Sequence, residues 1–176
     1  MGTWHVGPFD NDTAADFAGD LDEVPSEERE AMIRRTLLRA ADPGDYLNTP
    51  DAERAVAAVA LVVAQQPDGE PACSVHGPSE PLPELSADLR TLAVGALDQV
   101  IAGLSELAEL WDGAPDGVRW RQGIARLRDT LDPPIPSQAE TLFDSQPVTD
   151  RPECPTSDSV PGPLFSPPVP TTAGST

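Results

Sequence analysis

Lysine is absent from this chain of 176 residues, and all 11 of its Lys-plus-Arg cations are arginine. That removes Schiff-base lysines and the phosphate-binding lysine of P-loops from the chemistry open to it. Cysteine is scarce: Cys73 and Cys154 are too few for a disulfide framework. No apolar run reaches the length of a membrane span, and the longest, Ala55 to Ala64, suits a buried helix. The first residues lack a basic stretch followed by an apolar one, so no secretory signal is expected. Met1-Gly2 opens like a myristoylation signal, but Val6 stands where that signal needs Ser or Thr. A cytoplasmic protein is expected. There are no internal repeats.

Negative charge is what the chain has in excess. Thirty Asp and Glu against 11 Arg give a formal charge of −19. A surface of that sign repels phosphate backbones, so neither nucleic acid nor a membrane is an expected partner. It is compatible with a basic protein partner or a cation, and equally with solubility alone. The oligomeric state is not legible from these features.

The apolar spacing predicts an all-α fold, a compact bundle of about five helices. The first runs from about Asp12 to Leu21, with Ala14, Phe17, Ala18 and Leu21 on one face. Asp10 or Asn11 can cap it. The second runs from Ser26, a plausible cap, to about Ala41. Its early Glu residues and late Arg residues complement the helix dipole, and Pro43-Gly44 ends it. The third begins at Thr49-Pro50, read as a cap followed by Pro at the first helical position, and continues to about Gln66. Its middle is apolar on every side, which marks a central helix.

Residues 67–85 hold five Pro and two Gly and read as a long exposed loop without regular structure. A fourth helix is expected from Ser86 to about Trp111, its face formed by Leu89, Leu92, Ala93, Leu97, Val100, Leu104, Leu107 and Trp111. A fifth is expected from about Val118 to Leu131, with Trp120, Ile124, Leu127 and Leu131 as its stripe and Arg119, Arg121, Arg126 and Arg128 beside it. Residues 132–176 contain eleven Pro and twelve Ser or Thr, with few large apolar groups. Such a segment cannot bury enough surface to offset its ordering entropy, so a helical domain over 1–131 and a disordered tail over 132–176 are expected. Within the tail, Ala139 to Asp144 is a short apolar island.

The first seventeen residues are unusually specified for a terminus. They combine Trp4 and Phe9, a Gly7-Pro8 turn and the polar run Asp10-Asn11-Asp12 ahead of a helix. A folded-in N-terminus is expected, with Phe9 stapled on the first helix and Trp4 against the fourth. Asp10, Asn11, Asp12 and Asp16 form the densest polar cluster. Three readings stand: an N-cap with acids at the positive end of a helix, a protein-binding patch that includes Trp4, or a divalent-cation site using the i, i+4 pair Asp12 and Asp16. The EF-hand pattern is missing, since no Gly holds the sixth position and no Glu closes the loop. Cys73 and His76 have a metal-like spacing, yet a closed zinc site needs a second tight pair. His5 lacks a Ser or Cys nucleophile with which to build a triad. No catalytic residue and no cofactor is assigned.

The run Gly7-Pro8-Phe9-Asp10-Asn11-Asp12, with Ala15, Asp16 and Phe17, resembles the opening of a bacterial family, domain of unknown function 4259. Its members begin Met-Gly-x-Trp-x-x-Gly-Pro-Phe, then Asp or Glu, then Asn-Asp. Ser105-Glu106-Leu107-Ala108-Glu109-Leu110-Trp111 resembles a second signature, at the end of a long helix in that family, and Trp120 fits its Trp-led last helix. The likeness spans residues 1 to about 131. His5 departs from it, standing where the family usually has Gly, and the 67–85 loop is longer and richer in Pro. The resemblance implies a fold and no catalytic residue.

Charge, helical frame and the lack of a catalytic set together lead to an expected function. It is a non-catalytic protein-binding module, of adaptor or immunity type, with a basic protein partner. The alternative is a divalent-metal-binding module or metal-dependent enzyme built on the N-terminal Asp cluster.

Overall fold

The computed structural model describes residues 5–71 and 74–133. Six helices occupy them: α1 (Asp12–Glu23), α2 (Ser26–Ala41), α3 (Thr49–Ala64), α4 (Asp88–Val100), α5 (Glu106–Asp112) and α6 (Gly117–Leu131). The described residues contain no strand; one isolated parallel bridge joins Leu47 and Ser105. The fold is the all-α bundle that the periodicity predicts. The expected tail beyond Pro133, with the island at 139–144, lies outside the described residues, as do Trp4 and Cys73.

α3 is the centre. Ala55 to Val63 are all buried, and α1, α2, α4 and α6 each pack against it. Its many Ala side chains are small, so the neighbouring backbones come close. α2 and α4 pack on each other as well, closing one side of the bundle. α1 buries the predicted face, Ala14, Phe17, Ala18 and Leu21. Asn11 caps it, its side-chain oxygen accepting from the Ala14 N–H at 2.8 Å.

Two predicted caps shift by a residue. Ser26 is the first residue of α2, and Pro25 holds the cap position with no side-chain hydrogen bond. Thr49 is likewise the first residue of α3, because Asn48 takes the cap and accepts from the Asp51 N–H at 3.0 Å. Asn is the better acceptor at that position, and Pro50 is still tolerated in the first turn, where its missing N–H costs nothing.

The expected single helix over 86–111 is in fact two, broken between Val100 and Glu106. The chain before α3 is the cause. The Leu47 N–H donates to the Leu104 carbonyl and the Glu106 N–H donates to the Leu47 carbonyl, both at 2.9 Å. These bonds need backbone groups that a continuous helix would keep for itself. Ser105 then caps α5, and the Glu106 carboxylate accepts from the Thr49 N–H at 2.7 Å. The break moves Leu104 off the predicted apolar face, leaving it 63% exposed. Trp111 instead stacks on Trp120 of α6, with ring centroids 5.6 Å apart.

The described parts of 67–85 have no helix or strand, yet they are tied down. The Asp22 carboxylate accepts from the N–H groups of Ser79 and Glu80, at 2.8 and 3.0 Å. Gln65 bonds the Pro83 carbonyl and the Leu85 N–H, both at 2.8 Å. Arg29, buried at the start of α2, donates to the Pro81 carbonyl at 2.9 Å and to the Val24 carbonyl at 3.2 Å. Leu82 and Leu85 pack against the core.

Candidate functional site

The N-terminal motif builds a closed turn. The Asp10 N–H donates to the Gly7 carbonyl and the Gly7 N–H donates back to the Asp10 carboxylate, both at 3.1 Å. A Cβ on residue 7 would stand 2.4 Å from that carboxylate oxygen, so a side chain there would displace the Asp10 carboxylate from its bond to the Gly7 N–H. Phe9 is thereby driven into the core, 1% exposed. Asp10 and Asn11 are thus committed to backbone N–H groups of the turn and of α1. Asp12 is half-buried beside Glu53, and Asp16 is exposed. The four side chains do not converge on one point of space. Among the described residues no group of three or more His, Cys, Asp or Glu side chains could hold a metal ion.

Glu53 is the ionisable residue that sequence reasoning missed. It lies on α3 with 7% of its surface exposed, and the Thr13 hydroxyl donates to it. Burial pushes its carboxyl above the usual range; the Thr13 hydrogen bond opposes this and the nearby Asp12 charge adds to it. Glu53 shares a crevice of about 10 Å³ with His5, Asn11, Leu107 and the stacked Trp111 and Trp120. That is room for a single water and no more. The available signal was positional: Glu53 stands one turn before Val56 on the same buried face of α3.

Several other acids are partnered. Arg34 bridges Glu30 and Asp88, Arg39 meets Asp51, Arg121 meets Asp112, and Arg128 meets Asp98. The Arg34 guanidinium holds the Asp88 carboxyl below the usual range; Ser86, then Arg34, do the same for Glu30. The Ser79 N–H lowers Asp22, and the Thr49 N–H lowers Glu106.

One corner differs. Asp16, Asp20 and Glu23 on α1, with Glu27 and Glu28 on α2, are all exposed and take part in no ion pair among the described residues. The nearest cation in sequence, Arg29, is buried and turned to backbone carbonyls.

A larger cleft, about 750 Å³, lies between α3 and α6 and shares Gly7, Pro8 and Val56 with the Glu53 crevice. Val56, Ala60 and Val63 of α3 and Ile124 and Leu127 of α6 supply its apolar walls. Arg119 and Arg126 stand over it.

Fold and charge together define a small acidic helical-bundle protein. The chain belongs to the family described as domain of unknown function (DUF4259), whose model matches residues 2–123. The match takes in the N-terminal turn, α1 to α5 and the first half of α6, including the Ser105–Trp111 signature and Trp120. No curated protein and no solved structure matches the chain. Among the described residues no helix is long and apolar enough to cross a membrane.

Proposed function

We propose that this protein is a non-catalytic protein-binding module of the cytoplasm, and that the acidic α1–α2 corner receives a basic protein partner. The observation that carries the reading is that the α1 half of this corner opposes the needs of its helix, whereas Glu27 and Glu28 suit the start of α2. Acids near a helix C-terminus are unfavourable, yet the second half of α1 carries Asp20 and Glu23, and no basic residue lies in its last turn. Asp16 and Asp20 add a like-charge i, i+4 pair, which costs roughly 0.2–0.5 kcal/mol. Elsewhere Glu30, Asp51, Asp88, Asp98 and Asp112 are paired with Arg, and Asp10, Asp22 and Glu106 with backbone N–H groups. A surface kept negative at a cost in stability attracts cations, and it speeds encounter with a basic face. The same sign of charge disfavours nucleic acid and anionic membranes.

The test is affinity purification of the full chain from the cells that make it. The parent is compared with a variant carrying Asp16→Asn, Asp20→Asn, Glu23→Gln, Glu27→Gln and Glu28→Gln. A basic protein that co-purifies with the parent, elutes with moderate salt and is lost from the neutral variant supports the reading. A partner retained by the neutral variant places recognition on another surface and refutes it.

A further inference from the structure

Seven large hydrophobic residues are exposed among the described ones, and four of them gather at one end of the bundle. Tyr46 lies in the α2–α3 connection, Ile101 and Leu104 lie in the α4–α5 connection, and Leu110 lies on α5. We infer that this end docks an amphipathic helix of another protein, one whose apolar face is bordered by Lys or Arg. The acidic corner stands at the start of α2 and Tyr46 follows the end of that helix, which is about 24 Å long at about 1.5 Å per residue. The inference therefore stands independently of the corner.

The fold sets these side chains side by side. Leu47 exchanges backbone hydrogen bonds with Leu104 and Glu106, which joins the two connections. The Tyr46 hydroxyl donates to the Glu109 carboxylate at 3.3 Å, which brings the Tyr46 side chain to α5. Glu106, Glu109 and Leu110 stand at i, i+3 and i+4 and share one face of α5. Leu104 precedes the Ser105 cap, a position whose apolar side chain ordinarily packs on the fourth helical residue. That residue is Glu109, so the usual apolar partner is missing. Leu104 stays 63% exposed, with Leu110 at 58% and Tyr46 at 43%. Apolar side chains that gather on a surface mark a contact site, whereas scattered ones do not.

Charge selects the occupant. Asp42 and Asp45, on the Tyr46 side, and Glu109, on α5, border the patch. All three are exposed and pair with no Arg among the described residues. A second copy of this chain would set the same three acids against these, and its charge of −19 adds repulsion. Phosphate-bearing surfaces are repelled for the same reason. A segment with an apolar centre and cations at its edges complements both features. The Leu47 N–H and carbonyl are both used within the chain, so no open edge is offered there to an added strand. A helix with Leu at i, i+3, i+4 and i+7 and cations on its flanks presents both chemistries on one surface.

The test titrates the full chain, at physiological salt, into a fluorescein-labelled peptide helix of about 18 residues with one Leu face and Lys on its flanks. Anisotropy reports binding. Saturable one-to-one binding is expected. The same peptide with Glu for Lys, or with Ser for Leu, should bind at least roughly tenfold more weakly. The double variant Leu104→Ser, Leu110→Ser alters exposed side chains, so it should keep the parent's melting temperature and bind the peptide at least roughly tenfold more weakly. Neutralising the five acids of the α1–α2 corner should change the affinity by less than about threefold. Absence of saturable binding, equal affinity for either altered peptide, or parent-like affinity in the folded double variant would each overturn the proposal. Loss of binding on neutralising the corner alone would overturn it too, and would leave the reading of the corner standing.

Discussion

Glu53→Gln should stabilise this protein at neutral pH and leave it unchanged in acid. The parent carboxylate is 7% exposed, and the Thr13 hydroxyl supplies its hydrogen bond from α1. One charge-assisted bond offsets roughly 1.5–3 kcal/mol, less than the several kcal/mol that an ion loses on leaving water. Asp12 adds repulsion of the same sign. Gln keeps an oxygen to accept from Thr13 and brings no charge, so the substitution should contribute about 1–2 kcal/mol. For a folded unit of this size that corresponds to a rise in Tm of about 3–8 °C.

The pH dependence follows from linkage. The folded pKa of Glu53 lies above its ordinary value of 4.5. Between those two values the folded chain holds a proton that the unfolded chain has released, so stability falls as pH rises through that interval. Below the ordinary value the group is neutral in both states and the penalty vanishes. The assay is the difference in Tm between variant and parent at pH 7.5 and pH 4.0, in which the titration of distant acids cancels. A gain at pH 7.5 that disappears at pH 4.0 is expected. A loss of Tm at pH 7.5 would show that the ionised carboxylate is itself stabilising, and would refute the reasoning.

Phe9→Ala removes a core aromatic that the Gly7–Asp10 turn delivers; a cost of about 3–5 kcal/mol is expected, seen as a large drop in the urea midpoint. A midpoint near the parent's would mean that the turn is a surface feature. Millimolar Ca²⁺, Mg²⁺ or Mn²⁺ should give no specific thermal shift, because Asp10 and Asn11 are engaged with backbone N–H groups. A bound ion at a hundredfold excess over its dissociation constant would add about 2.7 kcal/mol. A shift that Asp12→Asn removes would reinstate the metal reading.

Helix positions were legible where one periodicity governed a segment. The face of α1 and the all-round burial of α3 follow directly from residue spacing, as does the end of α6 at Leu131. The break between α4 and α5 was not legible, because its cause is remote: Leu47, more than fifty residues earlier, takes the backbone groups of Leu104 and Glu106. Nothing in Ala102-Gly103-Leu104-Ser105 announces that pairing beyond a single glycine. At the N-terminus the sequence put Asp10, Asn11, Asp12 and Asp16 together as one cluster. The turn separates them by task, since Asp10 holds Gly7, Asn11 holds Ala14, Asp12 lies by Glu53 and Asp16 faces solvent. Glu53 escaped notice because it stands next to Arg54 in an acidic and basic first turn, where exposure is the ordinary expectation. The α3–α6 cleft escaped it too, since a space between helices leaves no mark on either helix's period.

The central claim is that the α1–α2 corner is where basic chains concentrate on this protein. The direct measurement is a map of backbone amide shifts by ¹⁵N NMR as deca-lysine is titrated into the full chain at physiological salt. The account predicts that shifts concentrate at Asp16, Asp20, Glu23, Glu27 and Glu28 and are lost when those five are neutralised. Shifts spread evenly over all the exposed acids, or centred near Asp68 and Glu70 instead, would contradict it.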